Sequence, residues 1–204
     1  AEPEPEAEAE AEPEAPKEEE KEAPKKKGKK KKKKSSANDA KGGGNEDAMN
    51  LWKKISNKKG SDMNWYILKL KSKPGKNADL VAVKEGTGGA LEVVEFLKDQ
   101  KDGIFFGLLK CITTDDSKSV RGKFIYLRHI GTGVKTMTKA KLTGFLGKID
   151  DAFPCKHLTI DLNEKCEEDL QPAKLAKELL RVGGAHKPDA MNFGPNQEVL
   201  MKDL

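Results

Sequence analysis

Between Arg121 and Phe153 the hydrophobic period of the chain changes once, and that change narrows what it can fold into. Lys123 to Ile130 reads K-F-I-Y-L-R-H-I, with Phe124, Ile125, Tyr126, Leu127 and Ile130 apolar on both faces. Such a run suits a strand in the middle of a sheet covered on both sides. Gly131 and Gly133 end it. Beyond them Leu142, Phe145, Leu146, Ile149 and Phe153 recur at spacings of 3, 4, 7 and 11, which predicts one long helix with an apolar stripe. Pro154 stops it. Lys135, Lys139, Lys141 and Lys148 share the stretch with that stripe.

The elements around this pair follow from the same patterns. A short helix is predicted from about Asp47, with Leu51, Trp52 and Ile55 on one face and Asn45 or Asp47 as its cap. Asn64 to Lys71 and Leu80 to Val83 read as strands, joined by a turn at Lys73-Pro74-Gly75. Leu91, Val94, Phe96 and Leu97 mark a helix after Gly86, Gly88 and Gly89, and Gly103 to Thr113 is apolar enough for a second central strand. Cys155 to Leu162 alternates, as a half-exposed strand does, and a last helix is predicted from about Glu168 to Val182 with Pro172 in its first turn. Residues 187–204 read as a polar C-terminal tail with Met191, Phe193, Leu200 and Met201 scattered in it. The expected fold is α+β, an α/β/α sandwich in which a mixed sheet of five to six strands is flanked by about four helices. Residues 47–186 form the domain.

Residues 1–46 have a different composition. Eleven Glu and two Lys, spaced by Ala and Pro, fill residues 1–24, which offer nothing apolar to bury and are expected to be disordered. Lys25, Lys26, Lys27, Lys29, Lys30, Lys31, Lys32, Lys33 and Lys34 follow, nine lysines in ten positions, and residues 35–46 read as a flexible linker. Such a run suits an electrostatic arm for a polyanion. Residues 47–204 hold 27 Lys and Arg against 21 acids, so the domain is itself basic and fits an acidic partner.

Enzymatic chemistry finds little here. His129, His157 and His186 lie far apart, none in an H-x-x-x-H or C-x-x-C setting, so no metal is expected. His129, late in its strand, is expected to be a packed or hydrogen-bonded residue. Cys111, Cys155 and Cys166 are few, odd in number and widely spaced, which points to a reducing compartment rather than a disulfide framework. Gly86-Thr87-Gly88-Gly89 precedes a helix, yet the full dinucleotide fingerprint and a Gly-Lys-Thr loop are absent, so these are expected to be turn glycines. No cofactor is expected. No run approaches the roughly 20 apolar residues of a membrane span, and the N-terminus lacks the apolar core of a secretory signal. The expectation is a non-enzymatic, soluble, intracellular chain.

The order R-G-K-F-I-Y-L-R-H-I-G from Arg121, then Val134, then Lys139-Ala140-Lys141, then an apolar helix resembles the actin-depolymerising-factor homology family, and within it the coactosins. Cys111-Ile112-Thr113-Thr114, Glu167-Glu168-Asp169-Leu170 and Gly183-Gly184-Ala185 extend the resemblance. It implies a cytoplasmic, cytoskeletal, non-catalytic protein that binds the side of filamentous actin without severing it. It also implies that the third helix, with the loop before it, and the start of the fourth strand meet actin. Lys123, Lys139 and Lys141 fall on those positions, with Lys118, Arg121 and Lys135 as rim charges and Lys165 and Lys174 as weaker candidates. The alternative is a structural protein of microtubules or axonemes, in a cilium or flagellum, whose lysine run contacts the acidic tails of tubulin. Non-specific nucleic-acid binding through that run is a third reading, and without aromatics it has no base-stacking platform.

Overall fold

The computed structural model describes residues 46–57, 62–71, 79–115, 119–162, 165–183 and 187–204. The lysine run Lys25–Lys34, the turn at Lys73-Pro74-Gly75, Lys118 and His186 lie outside these residues. In chain order the elements are α1 (Glu46–Ser56), β1 (Trp65–Leu70), β2 (Leu80–Gly86), α2 (Gly89–Leu97), β3 (Ile104–Thr114), β4 (Val120–Ile130), α3 (Thr136–Thr143), α4 (Leu146–Asp150), β5 (Leu158–Leu162), α5 (Cys166–Asp169), α6 (Pro172–Val182), β6 (Ala190–Asn192) and β7 (Glu198–Leu200).

The strands form one mixed sheet in the order β2-β1-β3-β4-β5. Only β4 and β5 run parallel among the pairs described. Because side chains alternate across a strand, the register of β3 on β4 sorts the core into two halves. Trp65, Ile67, Phe105, Leu109, Cys111, Ile125 and Leu127 face one side, where α2, α5 and α6 cover them. Tyr66, Leu68, Phe106, Leu108, Phe124 and Tyr126 face the other, under α1, α3 and α4. A strand buried on both faces has no place for a polar alternation, which is why β3 and β4 read as unbroken apolar runs.

The predicted helices are shorter than their stripes. The helix expected through Leu142 to Phe153 is broken into α3 and α4. Gly144 and Gly147 weaken the helix there, by about 1 kcal/mol each relative to alanine. The chain tightens at the break, with the Phe145 N–H bonded to the Leu142 carbonyl at 2.8 Å. Leu142 and Ile149 still reach the core, as does Phe153 beyond the second helix. The last helix is likewise split. Pro172 pushes Gln171 into an extended conformation (φ −61°, ψ 127°), so α6 begins anew at the proline instead of continuing from Glu168. Leu175 and Leu179 are buried and Val182 is exposed. In α2 the core face is Ala90, Val93 and Leu97, while Leu91 points to solvent. Asp47 lies inside the first turn of α1, and its carboxylate accepts from the Ala82 N–H at 3.3 Å instead of capping.

Residues 187–204 are not a loose tail. β1 covers the edge of β3 at Phe105–Leu109, and β6 takes over the same edge at Ile112–Thr114, with β7 folded back on it. Among the described residues the sheet therefore has seven strands, against the five or six expected. Phe193 is fully buried beside α2. Gln197 fixes the segment at the start of that helix, its amide donating to the Gly88 carbonyl at 2.6 Å and accepting from the Leu91 N–H at 3.2 Å. Gly89 has φ +74°, and any side chain there would run into the Phe193 carbonyl. Phe193→Ala is expected to lower the free energy of unfolding by about 3–5 kcal/mol in a urea titration. An unmoved midpoint would mean that the segment does not belong to the cooperative unit.

Candidate functional site

The basic residues of the Arg121–Phe153 stretch do not form a single patch. On β4 the odd positions Arg121, Lys123, Ile125, Leu127 and His129 share the face covered by α6, whereas Phe124, Tyr126 and Arg128 share the face covered by α3 and α4. Lys139 and Lys141 sit on α3, with Lys135 at its N-cap. The sheet therefore separates Lys123 and Arg121 from Lys135, Lys139 and Lys141.

α3 is built against its own stability. Leu142 is its one buried residue. No acid stands in its first turn and Lys135 occupies the N-cap, where the helix dipole disfavours a cation. Lys135 and Lys139 are also four apart, a like-charge spacing that costs about 0.2–0.5 kcal/mol. Met137 is 71 % exposed and lies one turn before Lys141, so the outer face of the helix carries an apolar side chain among cations. Sequence reasoning passed over Met137, although its position off the apolar stripe of Leu142 and Ile149 was visible.

Several cations elsewhere are engaged within the domain. Lys165 pairs with Glu168 at 3.2 Å and Lys174 with Asp169 at 2.7 Å, the latter bond raising the Lys174 pKa. Arg121, itself exposed, lies 3.9 Å from the largely covered Asp115, at the outer limit of an ion pair. Arg128 holds Asp161 through two bonds of 2.6 and 2.7 Å and ties β5 to β4. Lys156 spans the Tyr126 ring, 5.2 Å from its centre, and reaches Asp150 at 3.5 Å. Lys123 is partly buried and makes no hydrogen bond or ion pair among the described residues.

Two of the three cysteines and one buried histidine are held in unreactive forms. Burial pushes the Cys111 thiol up to about 12, so it stays protonated at neutral pH. Burial also raises Cys166. His129 is 7 % exposed, with Nε2 3.1 Å from the Gln100 carbonyl, and burial lowers its pKa. The glycines before α2 close a turn: the Gly88 N–H donates to Glu92 at 2.7 Å and the Gly89 N–H to Asn64 at 3.1 Å, so protein acceptors already occupy amides that a phosphate would use. Among the described residues no group of three or more His, Cys, Asp or Glu is placed to hold a metal, and no helix is long and apolar enough to cross a membrane.

Residues 44–180 match the family of cofilin/tropomyosin-type actin-binding proteins. The chain belongs to that family. Its fold is shared with coactosin from Entamoeba histolytica, at 22% identity and a TM-score of 0.55 over 65% of this chain and 91% of that one. Human coactosin-like protein superposes with a TM-score of 0.53 at 17% identity, over 67% of this chain and 95% of that one. In sequence, 112 residues are 28% identical to drebrin-like protein B of Xenopus laevis, covering 55% of this chain. The match spans only 28% of that relative's length. The homology fold of this family is that of non-catalytic proteins, and the domain described above is one of them.

The buried imidazole gives the domain a pH dependence with a definite sign. His129 is held neutral in the fold, so the unfolded chain binds more protons as pH falls. The stability it contributes is full above its ordinary pKa of about 6.5 and is lost as pH falls through the lowered folded value. Melting temperatures measured from pH 7.5 down to 5.5 should fall, and His129→Gln should make that fall shallower, the remainder coming from His157, whose pKa burial also lowers. An unchanged slope in the variant would assign the effect to other groups.

Proposed function

We propose that this chain is a cytoskeletal protein that binds the side of filamentous actin in the cytoplasm, without catalysis. The observation behind the reading is α3, whose single buried leucine leaves Met137, Lys139 and Lys141 to a partner. Family membership supplies the partner class. Lysines suit a filament rich in carboxylates, because a long flexible cation finds them without fixed geometry. Met137 adds apolar contact, which gives the surface an element that salt does not screen. Lys135 is a rim charge on this face. Lys123 and Arg121, with Lys118 beside them in sequence, make a second contact on the opposite face of the sheet. The binding unit is the domain that begins at about residue 47, and the nine lysines of Lys25–Lys34 act as an accessory cationic arm. The microtubule and nucleic-acid readings rest on that arm, and no feature of the described residues favours them over actin.

Co-sedimentation of the full chain with actin filaments separates the two faces. Lys139→Glu with Lys141→Glu should weaken binding by roughly tenfold or more, since each exposed contact is worth about 0.5–1 kcal/mol and reversal adds repulsion. Lys123→Glu, measured separately, reports on the other face. Both variants should melt with the parent. Undiminished pelleting of the α3 variant would remove α3 from the binding surface.

A further inference from the structure

A cleft of about 120 Å³ opens between the start of β4, the last turn of α6 and the start of β6. Its walls are of two kinds. Leu179, Leu180 and Val182 of α6 and Met191 of β6 make an apolar side, and Val182 at the rim is solvent-exposed. Lys123 and His157 make a polar side. His157 Nδ1 accepts the Phe124 N–H at 3.0 Å, which leaves the ring proton on Nε2 and makes that nitrogen a donor. Thr113 Oγ1, also in the lining, is committed to the Arg121 carbonyl at 3.2 Å. The cleft thus offers an ammonium group and an N–H donor beside an apolar wall, a combination suited to a carboxylate attached to an apolar group.

The volume decides what carries both. A cavity of roughly 150 Å³ holds one benzene, so the space within this cleft matches a single side chain. An Asp or Glu side chain brings the charge but leaves the apolar wall bare. A Leu or Val within a chain fills the wall but brings no charge. A C-terminal aliphatic residue has the carboxylate and the apolar side chain on the same Cα. We propose that the cleft captures the free C-terminus of a partner chain ending in an aliphatic residue, with Lys123 and the His157 Nε2–H on the carboxylate and α6 with Met191 around the side chain. Terminal-carboxylate capture of this kind is a recurring recognition mode, though elsewhere it uses backbone amides.

The inference shares Lys123 with the proposed filament surface but does not depend on it, and its test contains no actin. The full chain, labelled with 15N, is titrated with N-acetyl-Gly-Ser-Leu bearing a free carboxylate, with the same peptide as its C-terminal amide, and with an N-acetyl-Gly-Ser-Asp amide. The free acid should shift the amides of Lys123, His157, Val182 and Met191. Both amidated peptides should bind about tenfold more weakly or not at all, the loss expected for one charge-assisted hydrogen bond. Lys123→Met should abolish the preference for the acid. Equal shifts from acid and amide, equal shifts from the Asp peptide, or none at these positions up to about 5 mM, near the weak limit of specific recognition, would overturn the proposal. Should the Lys123 variant fail to fold, the acid-against-amide comparison on the unaltered chain decides alone.

Discussion

Eleven residues of β3 lie opposite eleven of β4 in unbroken antiparallel register, and every other feature of the domain is arranged around that ladder. Both of its faces are covered, one by α2, α5 and α6 and the other by α1, α3 and α4. Its parity decides which side chain joins which core. A slip of one residue would send Tyr126 into the half occupied by Leu127 and turn Lys123 toward α3. The aromatic residues oppose such a slip. Phe153 lies against Tyr126 at 4.6 Å and Phe106 stacks on Tyr126 at 6.4 Å on one face. On the other face Phe96 meets Phe105 edge-on at 5.9 Å. Register, and with it the placement of every cation on β4, is therefore set by buried rings rather than by the charges themselves.

That ladder was legible in the sequence because its composition is extreme. A run such as Phe124 to Leu127 has few alternatives to a doubly covered strand. The short outer elements were less legible, each for a physical reason. α3 and α4 share one stripe because a break at Gly144 that preserves the burial of Leu142 and Ile149 leaves the periodicity intact. α5 and α6 share another, and only the steric effect of Pro172 on Gln171 divides them. β6 was missed because three residues are too few for a period. Its signal was the alternation of Met191 and Phe193 about Asn192, which means little until β3 offers an unpaired edge at Ile112–Thr114. For the candidate surface, sequence position alone made neighbours of Lys123 and Lys139. Strand parity, invisible without the register, puts the sheet between them.

Local preferences agree with the fold nearly everywhere except on α3. Several buried polar groups find partners elsewhere: the Trp65 ring N–H bonds Glu92 at 2.8 Å, and the α2 amides bond Asn64 and Gln197, while the Tyr66 and Tyr126 hydroxyls are left without one among the described residues. Among the described residues α3 alone combines a cation at its N-cap, a like-charge pair and an exposed methionine, and no contact there offsets them. Natural sequences tolerate such conflicts mainly where a partner resolves them. An acidic surface would do so at once, neutralising Lys135 and Lys139 and covering Met137. The conflict on α3 marks a binding face more sharply than the number of lysines does, since a solvated helix would also carry them.

The C-terminal segment joins stability to recognition. β6 closes the edge that β1 leaves on β3, Phe193 fills the core beside α2, and Gln197 bonds to the start of that helix. The same strand supplies Met191 to the cleft beside Lys123. A wall held by a buried ring two residues away has little freedom left to lose when something docks against it. Binding there avoids the ordering cost that a loose tail would carry, roughly 0.5–1.5 kcal/mol for each side chain immobilised. A cleft sized for a single side chain depends on that saving, since one side chain and one carboxylate have no surplus contacts from which to recover it.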